Sequence, residues 1–113
     1  MQYLVELKLS NSARPTTQED GIAFLEQYIF PTLELCKKLQ EEKKILAGGP
    51  LSGTVALALI VNAESARELD DLITSFPVWP RMETEVTPLT TFEGRAQSLR
   101  EICGGLVRIE SGK

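Results

Sequence analysis

The sequence predicts an α+β protein with the element order β-α-β-β-α-β, and three observations carry that prediction. Residues 2–9 alternate between two sets of side chains, which is typical of a strand. From about residue 17 to 44, apolar residues recur at spacings of three and four, which is typical of an amphipathic helix. Residues 54–61, TVALALIV, form a nearly continuous apolar run that predicts a strand buried on both faces.

The first helix follows a polar loop. The sequence indicates a cap at its start and an irregularity in its middle. Thr16 or Thr17 can cap the helix, because a hydroxyl can accept a hydrogen bond from a free backbone N–H of the first turn. Pro31 lies inside the apolar stripe and removes one backbone hydrogen bond. We therefore expect a kink or a break near residues 28–30.

The second half of the domain repeats the pattern. Residues 45–47 predict a short strand that residues 48–50, Gly-Gly-Pro, interrupt. Asn62 suits the N-cap of a second amphipathic helix, which ends before Pro77. Residues 82–89, METEVTPL, predict the last strand.

This order is that of a ferredoxin-like βαββαβ antiparallel sheet with two helices on one face. The uncovered face would present Leu4, Glu6 and Lys8 beside the apolar strand at 54–61. An apolar face needs a cover, and a second copy of the chain is the simplest one. We therefore expect a homodimer or a larger homo-oligomer built as a dimeric α+β barrel.

The C-terminal part differs from the domain that precedes it. We expect residues 1–92 to form the domain and residues 93–113 to form a tail, with a short helix at 95–103, a break at Gly104-Gly105 and a strand-like piece after it. An arm that packs on a partner subunit is our hypothesis for this tail.

Composition excludes several function classes. The 113 residues carry a net charge of −4 with no extended basic patch, so we expect no nucleic-acid partner. No apolar run is long enough to span a bilayer, and the N-terminus lacks a basic leader, so we expect a cytoplasmic protein without a membrane partner. Cys36 and Cys103 are expected to be free thiols.

The chain contains no histidine, which constrains its chemistry most. Ser-His and Cys-His nucleophile systems are excluded, as are metal sites that need histidine. Two cysteines 67 positions apart do not complete a zinc site. We expect no metal and no cofactor, and any proton transfer must use carboxylates, lysine, tyrosine, cysteine or water.

The stretch LITSFPVWPRMETEVTPL resembles the end of the second helix and the last strand of the muconolactone isomerase family. The family pattern there is Leu/Phe-Pro-apolar-aromatic-Pro-x-Met-Asp/Glu-apolar-Glu-Val. The matching residues are Phe76, Pro77, Val78, Trp79, Pro80, Met82, Glu83, Glu85 and Val86, and Thr84 stands at the second apolar position. The resemblance covers roughly residues 1–92 and implies a dimeric α+β barrel.

The same resemblance implies a chemistry, namely cofactor-free proton transfer within a small unsaturated lactone of aromatic catabolism. Family members carry a histidine and a lysine on the strand face where Leu4 and Glu6 stand here, so Lys8 becomes the candidate partner for a substrate carboxylate. Whether the protein is an enzyme is therefore open at this point. The alternative is a non-catalytic barrel that binds a small ligand or serves as an accessory subunit.

Four residues are candidate catalytic groups. Glu6 and Lys8 share a strand face, and Glu6 becomes a possible base if that face is enclosed; an ion pair at the rim of an interface is the structural alternative. Glu26 and Tyr28 lie near the predicted helix irregularity, where a pocket can open; an ordinary helix surface is the alternative. Glu83 and Glu85 share a face of the last strand, and cross-strand pairing with Lys8 or Arg81 is the structural interpretation for them.

Three further residues are candidate ligand contacts. Trp79 is held between two prolines, so it is suited to fill a subunit contact or to wall a pocket. Gly48 and Gly49 lie in a connection that can rim a ligand cleft with free backbone N–H groups, although a simple hairpin connection also explains them.

Overall fold

The computed structural model describes residues 1–111, and for Asn11 and residues 106–111 it describes the backbone alone. One antiparallel sheet has the strand order β2-β3-β1-β4. The strands are β1, Gln2–Leu9; β2, Ile45–Pro50; β3, Ala56–Asn62; and β4, Met82–Pro88. The predicted α+β, ferredoxin-like arrangement is confirmed, with the first and third strands paired at the centre of the sheet.

The first helical segment has three parts. Helix α1, Gln18–Phe24, begins at Thr17, whose hydroxyl accepts a hydrogen bond from the Asp20 backbone N–H at 3.0 Å. A π-helical turn, Leu25–Ile29, joins it to helix α2, Phe30–Glu41. The irregularity expected around residues 28–30 is therefore a wider turn in a continuous helix, and not a break. It lets the chain continue past Pro31, which needs no N–H at the start of α2.

Helix α3, Ala66–Thr74, starts later than the sequence suggested. Asn62 is the last residue of β3 and does not cap the helix. Ser65 is the cap, and its hydroxyl accepts a hydrogen bond from the Glu68 N–H at 3.1 Å. The Glu68 carboxylate in turn accepts one from the Glu64 N–H at 3.1 Å, one residue before the N-cap N–H that a capping box uses.

Strand β2 continues through the glycines that were expected to interrupt it. Its pairing with β3 shifts between Ile45 and Ala47, where a β-bulge lies, and then extends to Pro50. Gly48 has a φ of +115°, and a Cβ built there would lie 2.1 Å from the Ala58 carbonyl oxygen. Only glycine fits this close approach of two strands, so the residue that suggested a break is what permits the pairing.

The two long helical segments cover one face of the sheet, and the core lies between them and that face. Leu39 of α2 and Leu72 of α3 belong to the same buried cluster as the inward side chains of β1 and β3. After α3, Phe76 and Val78 enter this cluster and fix the path of the chain into β4. The strand residues of the cluster are Val5, Leu7, Ile45, Leu57, Leu59 and Val61.

The opposite face of the sheet, called the open face below, carries the other side chains of each strand. Register places Leu4 between Ile60 and Thr87, and Glu6 between Ala58 and Glu85. Leu4 and Ile60 are partly exposed to solvent.

The C-terminal segment is a single helix, α4, Phe92–Ser111. The predictions of a break at Gly104-Gly105 and of a strand-like piece after it are therefore wrong. A glycine in an exposed helix costs about 1 kcal/mol, which disfavours the helix without forbidding it. The chain measures 73 × 31 × 24 Å with a radius of gyration of 19.7 Å, against about 13 Å for a compact chain of this length. Helix α4 accounts for this elongation.

Within residues 1–111, no helix combines the length and the apolar character that crossing a bilayer requires.

Candidate functional site

An apolar cavity, called the large cavity below, lies between the first helical segment and the inner face of the sheet. Its volume is about 620 Å³, which is within the range of small-molecule sites. The helical wall is formed by α1, the π turn and α2, and the sheet contributes one end each of β1, β2, β3 and β4. Its apolar walls are lined mainly by Leu9, Ile22, Phe24, Leu25, Ile29, Leu33, Val55, Leu57, Val78 and Met82.

The π turn contributes directly to this cavity. Leu25 and Ile29, its first and last residues, line the cavity. The widened turn is tied to the rest of the domain by Thr32, whose hydroxyl donates a hydrogen bond to the Tyr28 carbonyl at 2.6 Å and accepts one from the Val78 N–H at 3.2 Å. Because this buried hydroxyl already has both partners, it fixes the wall and is not free to bind a ligand.

Arg14 and Thr54 line the cavity at the end that it shares with a second depression; Arg14 lies in the loop after β1 and Thr54 in the turn before β3. Gln18, at the start of α1, also lines the cavity. Arg14 is the single charged residue among the described lining side chains, which include no carboxylate, thiol or phenol. The cavity therefore has an apolar body and one cationic end.

A smaller, polar depression of about 350 Å³ adjoins that end. It shares Leu9, Arg14 and Thr54 with the large cavity and adds Lys8, Ser10 and Glu83. Lys8 and Glu83 lie directly opposite each other in the β1–β4 register. A cation and a carboxylate thus stand side by side at the edge of the sheet, next to the cationic end of the large cavity.

The candidate residues Glu6 and Lys8 have different surroundings in the structure. Both lie on the open face as the alternation indicated, but only Lys8 lines a depression. Glu6 is partly buried and faces Glu85 across the strand pair. Among the described residues, no lysine or arginine nitrogen lies within 4.0 Å of the Glu6 carboxylate.

Glu26 and Tyr28 lie on the π turn but do not line either depression. Glu26 is exposed. The Tyr28 hydroxyl accepts a hydrogen bond from Arg81 Nη2 at 3.3 Å, and the Arg81 guanidinium lies 5.1 Å from the centroid of the Tyr28 ring. The ring also packs against Phe24 at 5.5 Å between centroids. These contacts give Tyr28 a role in joining the helix to the segment before β4.

The candidate ligand contacts lie elsewhere on the surface. Trp79 begins a short 3₁₀ turn and remains 38% exposed, while Phe76 and Val78 anchor the segment in the core. Gly48 and Gly49 pair with β3 inside β2 and line neither depression, although the next residue, Pro50, lines the large cavity.

Sequence reasoning missed Arg14. The available signal was weak, since it is one cation in the polar loop SNSARPTTQED. Its position just after a strand, where the chain turns back over the sheet, is where loop side chains meet a helix–sheet cavity.

Comparison with known proteins places these features in context. A family profile described as muconolactone delta-isomerase matches residues 1–94. A crystal structure of muconolactone isomerase superposes with a TM-score of 0.66 and 23% sequence identity, over 80% of this chain and 90% of that one.

A second solved structure is 5-chloro-2-hydroxyhydroquinone dehydrochlorinase (TftG) from Burkholderia phenoliruptrix AC1100, in complex with 2,5-dihydroxybenzoquinone. It superposes with a TM-score of 0.58 and 22% identity, over 83% of this chain and 98% of that one. At such identities the likeness supports the fold. No curated protein matches the chain.

Proposed function

Because the chain belongs to the muconolactone delta-isomerase family, we propose that it is a cofactor-free isomerase that moves a proton within a small lactone or carboxylate of aromatic catabolism. The observation that carries this proposal is an apolar cavity of about 620 Å³ next to a polar depression that holds Lys8 and Glu83. The cavity would hold the ring of the substrate, and the depression would supply the groups that handle the proton.

The chemistry needs a base beside the acidic C–H, a donor for the developing enolate oxygen and an acid that returns the proton. In this proposal Glu83 takes the proton from the sp³ carbon beyond the double bond of an α,β-unsaturated lactone, and the electron pair is delocalised through that double bond onto the carbonyl oxygen. Lys8 donates a hydrogen bond to that oxygen. The protonated Glu83 then returns the proton to the carbon next to the carbonyl, so the double bond moves and no atom is lost.

The other predicted candidates stand further from this reaction. Glu6 enters the proposal only through a second copy of the chain that encloses the open face. Glu26 and Tyr28 take no step in it, because they line neither the cavity nor the depression.

The test uses muconolactone and other small unsaturated lactones that carry a carboxylate, incubated with the protein in D₂O. Proton NMR would report migration of the double bond and deuterium at the carbon next to the carbonyl. We expect Glu83→Gln to lower the rate by about a hundredfold or more, which is the usual size of a lost general base.

Glu85→Gln is the matched control, because Glu85 lies on the same strand and the same face but lines neither depression. Its rate should stay close to that of the unmodified protein. Equal rates for the two variants would contradict the role of Glu83. Absence of both isomerisation and deuterium exchange in the unmodified protein would contradict the enzyme proposal.

A non-catalytic ligand-binding role is the second candidate, and one observation favours it. The described side chains of the large cavity include no group that can act as a base at neutral pH, since Arg14 stays protonated. A binding protein would gain thermal stability from the same lactones without exchanging their protons. Thermal shift combined with the deuterium experiment separates the two functions.

We also propose that the protein self-associates through its open face, as a homodimer or a larger homo-oligomer. Partly exposed Leu4 and Ile60 at the centre of that face support this proposal. Helix α4 would then be an arm on the partner subunit. Its Phe92, Leu99 and Ile102 are 98%, 49% and 58% exposed, and apolar side chains in such a helix call for a contact.

A further inference from the structure

We propose that Arg14 is the anion-binding residue of the large cavity, and that it selects ligands with a carboxylate at one end of an apolar body. The inference rests on the proposed function to the extent that the cavity must take a small molecule. It goes further by naming the residue that distinguishes an acid from a neutral ligand of the same shape.

Arg14 lies at the junction of the large cavity and the polar depression. It lies in the loop between β1 and α1, just before Pro15, and it lines both the apolar cavity and the polar depression. Arg14 therefore stands where a ligand that fills the apolar body would present its polar end. Gln18 and Thr54 line the same cavity, and their side chains can add neutral hydrogen bonds to a bound carboxylate.

The Arg14 guanidinium has no ion-pair partner among the described residues. Among the described residues, no carboxylate oxygen lies within 4.0 Å of Arg14, whereas Arg67 reaches Asp71 at 4.0 Å and Arg81 binds the Tyr28 hydroxyl. A guanidinium presents a planar set of donors that can bind both oxygens of a carboxylate. Arg14 has this capacity unused in the structure.

The charge of the surroundings also points to Arg14. The whole chain carries a net charge of −4, so its overall field does not attract anions. The neighbouring charged residues, Lys8 and Glu83, line the adjoining depression and not the large cavity. Arg14 is thus the local source of positive potential for a ligand in the large cavity.

The experiment compares two ligands that differ in charge and little in shape, 3-phenylpropionate and 3-phenylpropionamide. Binding to the full chain is measured at pH 7 by isothermal titration calorimetry and by two-dimensional NMR. We expect the acid to bind about tenfold or more tightly than the amide, as is usual for a hydrogen bond to a charged group. Added salt should weaken the binding of the acid and leave the binding of the amide unchanged, because Arg14 is exposed and salt screens its charge.

Arg14→Gln should bring the affinity for the acid down to that for the amide and leave the amide unchanged. Arg14→Lys should retain part of the preference, because it keeps the charge and loses the planar pair of donors. Arg100→Gln on the exposed surface of α4 is the control, since it removes the same charge at a residue that lines neither the cavity nor the depression. It should leave both affinities unchanged.

The outcomes separate the two proposals. If the amide binds and the acid binds no better, the role of Arg14 is refuted while the cavity still takes a ligand. An acid preference that survives Arg14→Gln, or an equal loss for both ligands, also refutes it. If neither ligand binds the unmodified protein, the cavity proposal fails and the Arg14 inference fails with it.

Discussion

The two faces of the central strand β1 show how one short segment can serve two purposes. Val5, Leu7 and Leu9 point to the helices and are at most 2% exposed. Leu4, Glu6 and Lys8 point to the open face, and each keeps some contact with solvent. The inner face therefore supports the folded chain, while the open face is available for a partner or for chemistry.

The difference also explains where the cavity lies. The helices pack closely on the inner face at α3 and less closely at the π turn, which leaves room above Leu9 and Leu57. The site is thus a local gap in the better-packed face, and its polar end reaches the edge where both faces meet at Lys8 and Glu83.

The largest expected effect comes from truncating the inner face. Leu7→Ala should destabilise the fold by about 3 kcal/mol, since it leaves a cavity in a fully buried cluster. Leu4→Ala, on the open face, should cost less than about 1 kcal/mol in dilute solution, because Leu4 is only partly buried there. Urea unfolding curves measure both values.

The dependence of these two costs on protein concentration distinguishes the two faces further. The cost of Leu7→Ala should not depend on concentration, because that residue stabilises the subunit itself. The cost of Leu4→Ala should grow with concentration if a second copy covers it. Equal costs for the two variants in dilute solution would show that the two faces do not differ as described.

The sequence predicted the fold well where a repeating pattern spans an element. The alternation in residues 2–9 matches β1 as observed, and the three-and-four spacing located both core helices. The predictions that rested on one or two glycines, without a repeating pattern around them, were wrong. Gly48 indicated an interruption, but its role is to allow close strand pairing, and Gly104-Gly105 did not end α4.

The candidate site was less predictable, for a physical reason. Its apolar walls come from separate segments, and residues such as Leu25 and Met82 have the same sequence signature whether they fill a core or line a cavity. Arg14 resembles any cation in a polar loop. Lys8 was found because it shares a strand face with its neighbours, and strand periodicity is a property that sequence does encode.

A substitution on the open face should disrupt self-association and leave the core intact. Ile60→Lys places a charge opposite Leu4 at the centre of the proposed interface. Because a buried, unpaired charge is costly, self-association should weaken by about a hundredfold or more. Sedimentation velocity over a concentration series should show the unmodified chain as a dimer or larger species and the variant as a monomer.

Two controls accompany this variant. Glu64→Lys introduces a lysine on the exposed surface outside the sheet and should leave the assembly intact. Removal of residues 93–113 tests the arm. A truncated chain that assembles to the same number of subunits would contradict the proposal that α4 packs on a partner, while leaving the open-face interface in place.

The smallest expected effect on stability at neutral pH comes from the two cysteines. Their reactivity distinguishes a packed thiol from an exposed one. Cys36 on α2 packs against the core, and burial raises its pKa from 9.0 to about 11, whereas Cys103 on α4 is exposed. At pH 8 the thiolate of Cys36 is therefore about a hundredfold scarcer than for a free thiol. Mass spectrometry after brief iodoacetamide treatment should find Cys103 labelled and Cys36 protected.

The raised pKa also fixes the sign of a pH effect. Since the folded protein holds the Cys36 proton more tightly than the unfolded chain, the resulting stability is complete below pH 9 and is lost as the pH rises towards 11. The difference in Tm between the unmodified protein and Cys36→Ala should therefore be constant from pH 7 to 9 and fall above it. Rapid labelling of Cys36 at pH 8 would mean that the helix face is more open than its packing indicates.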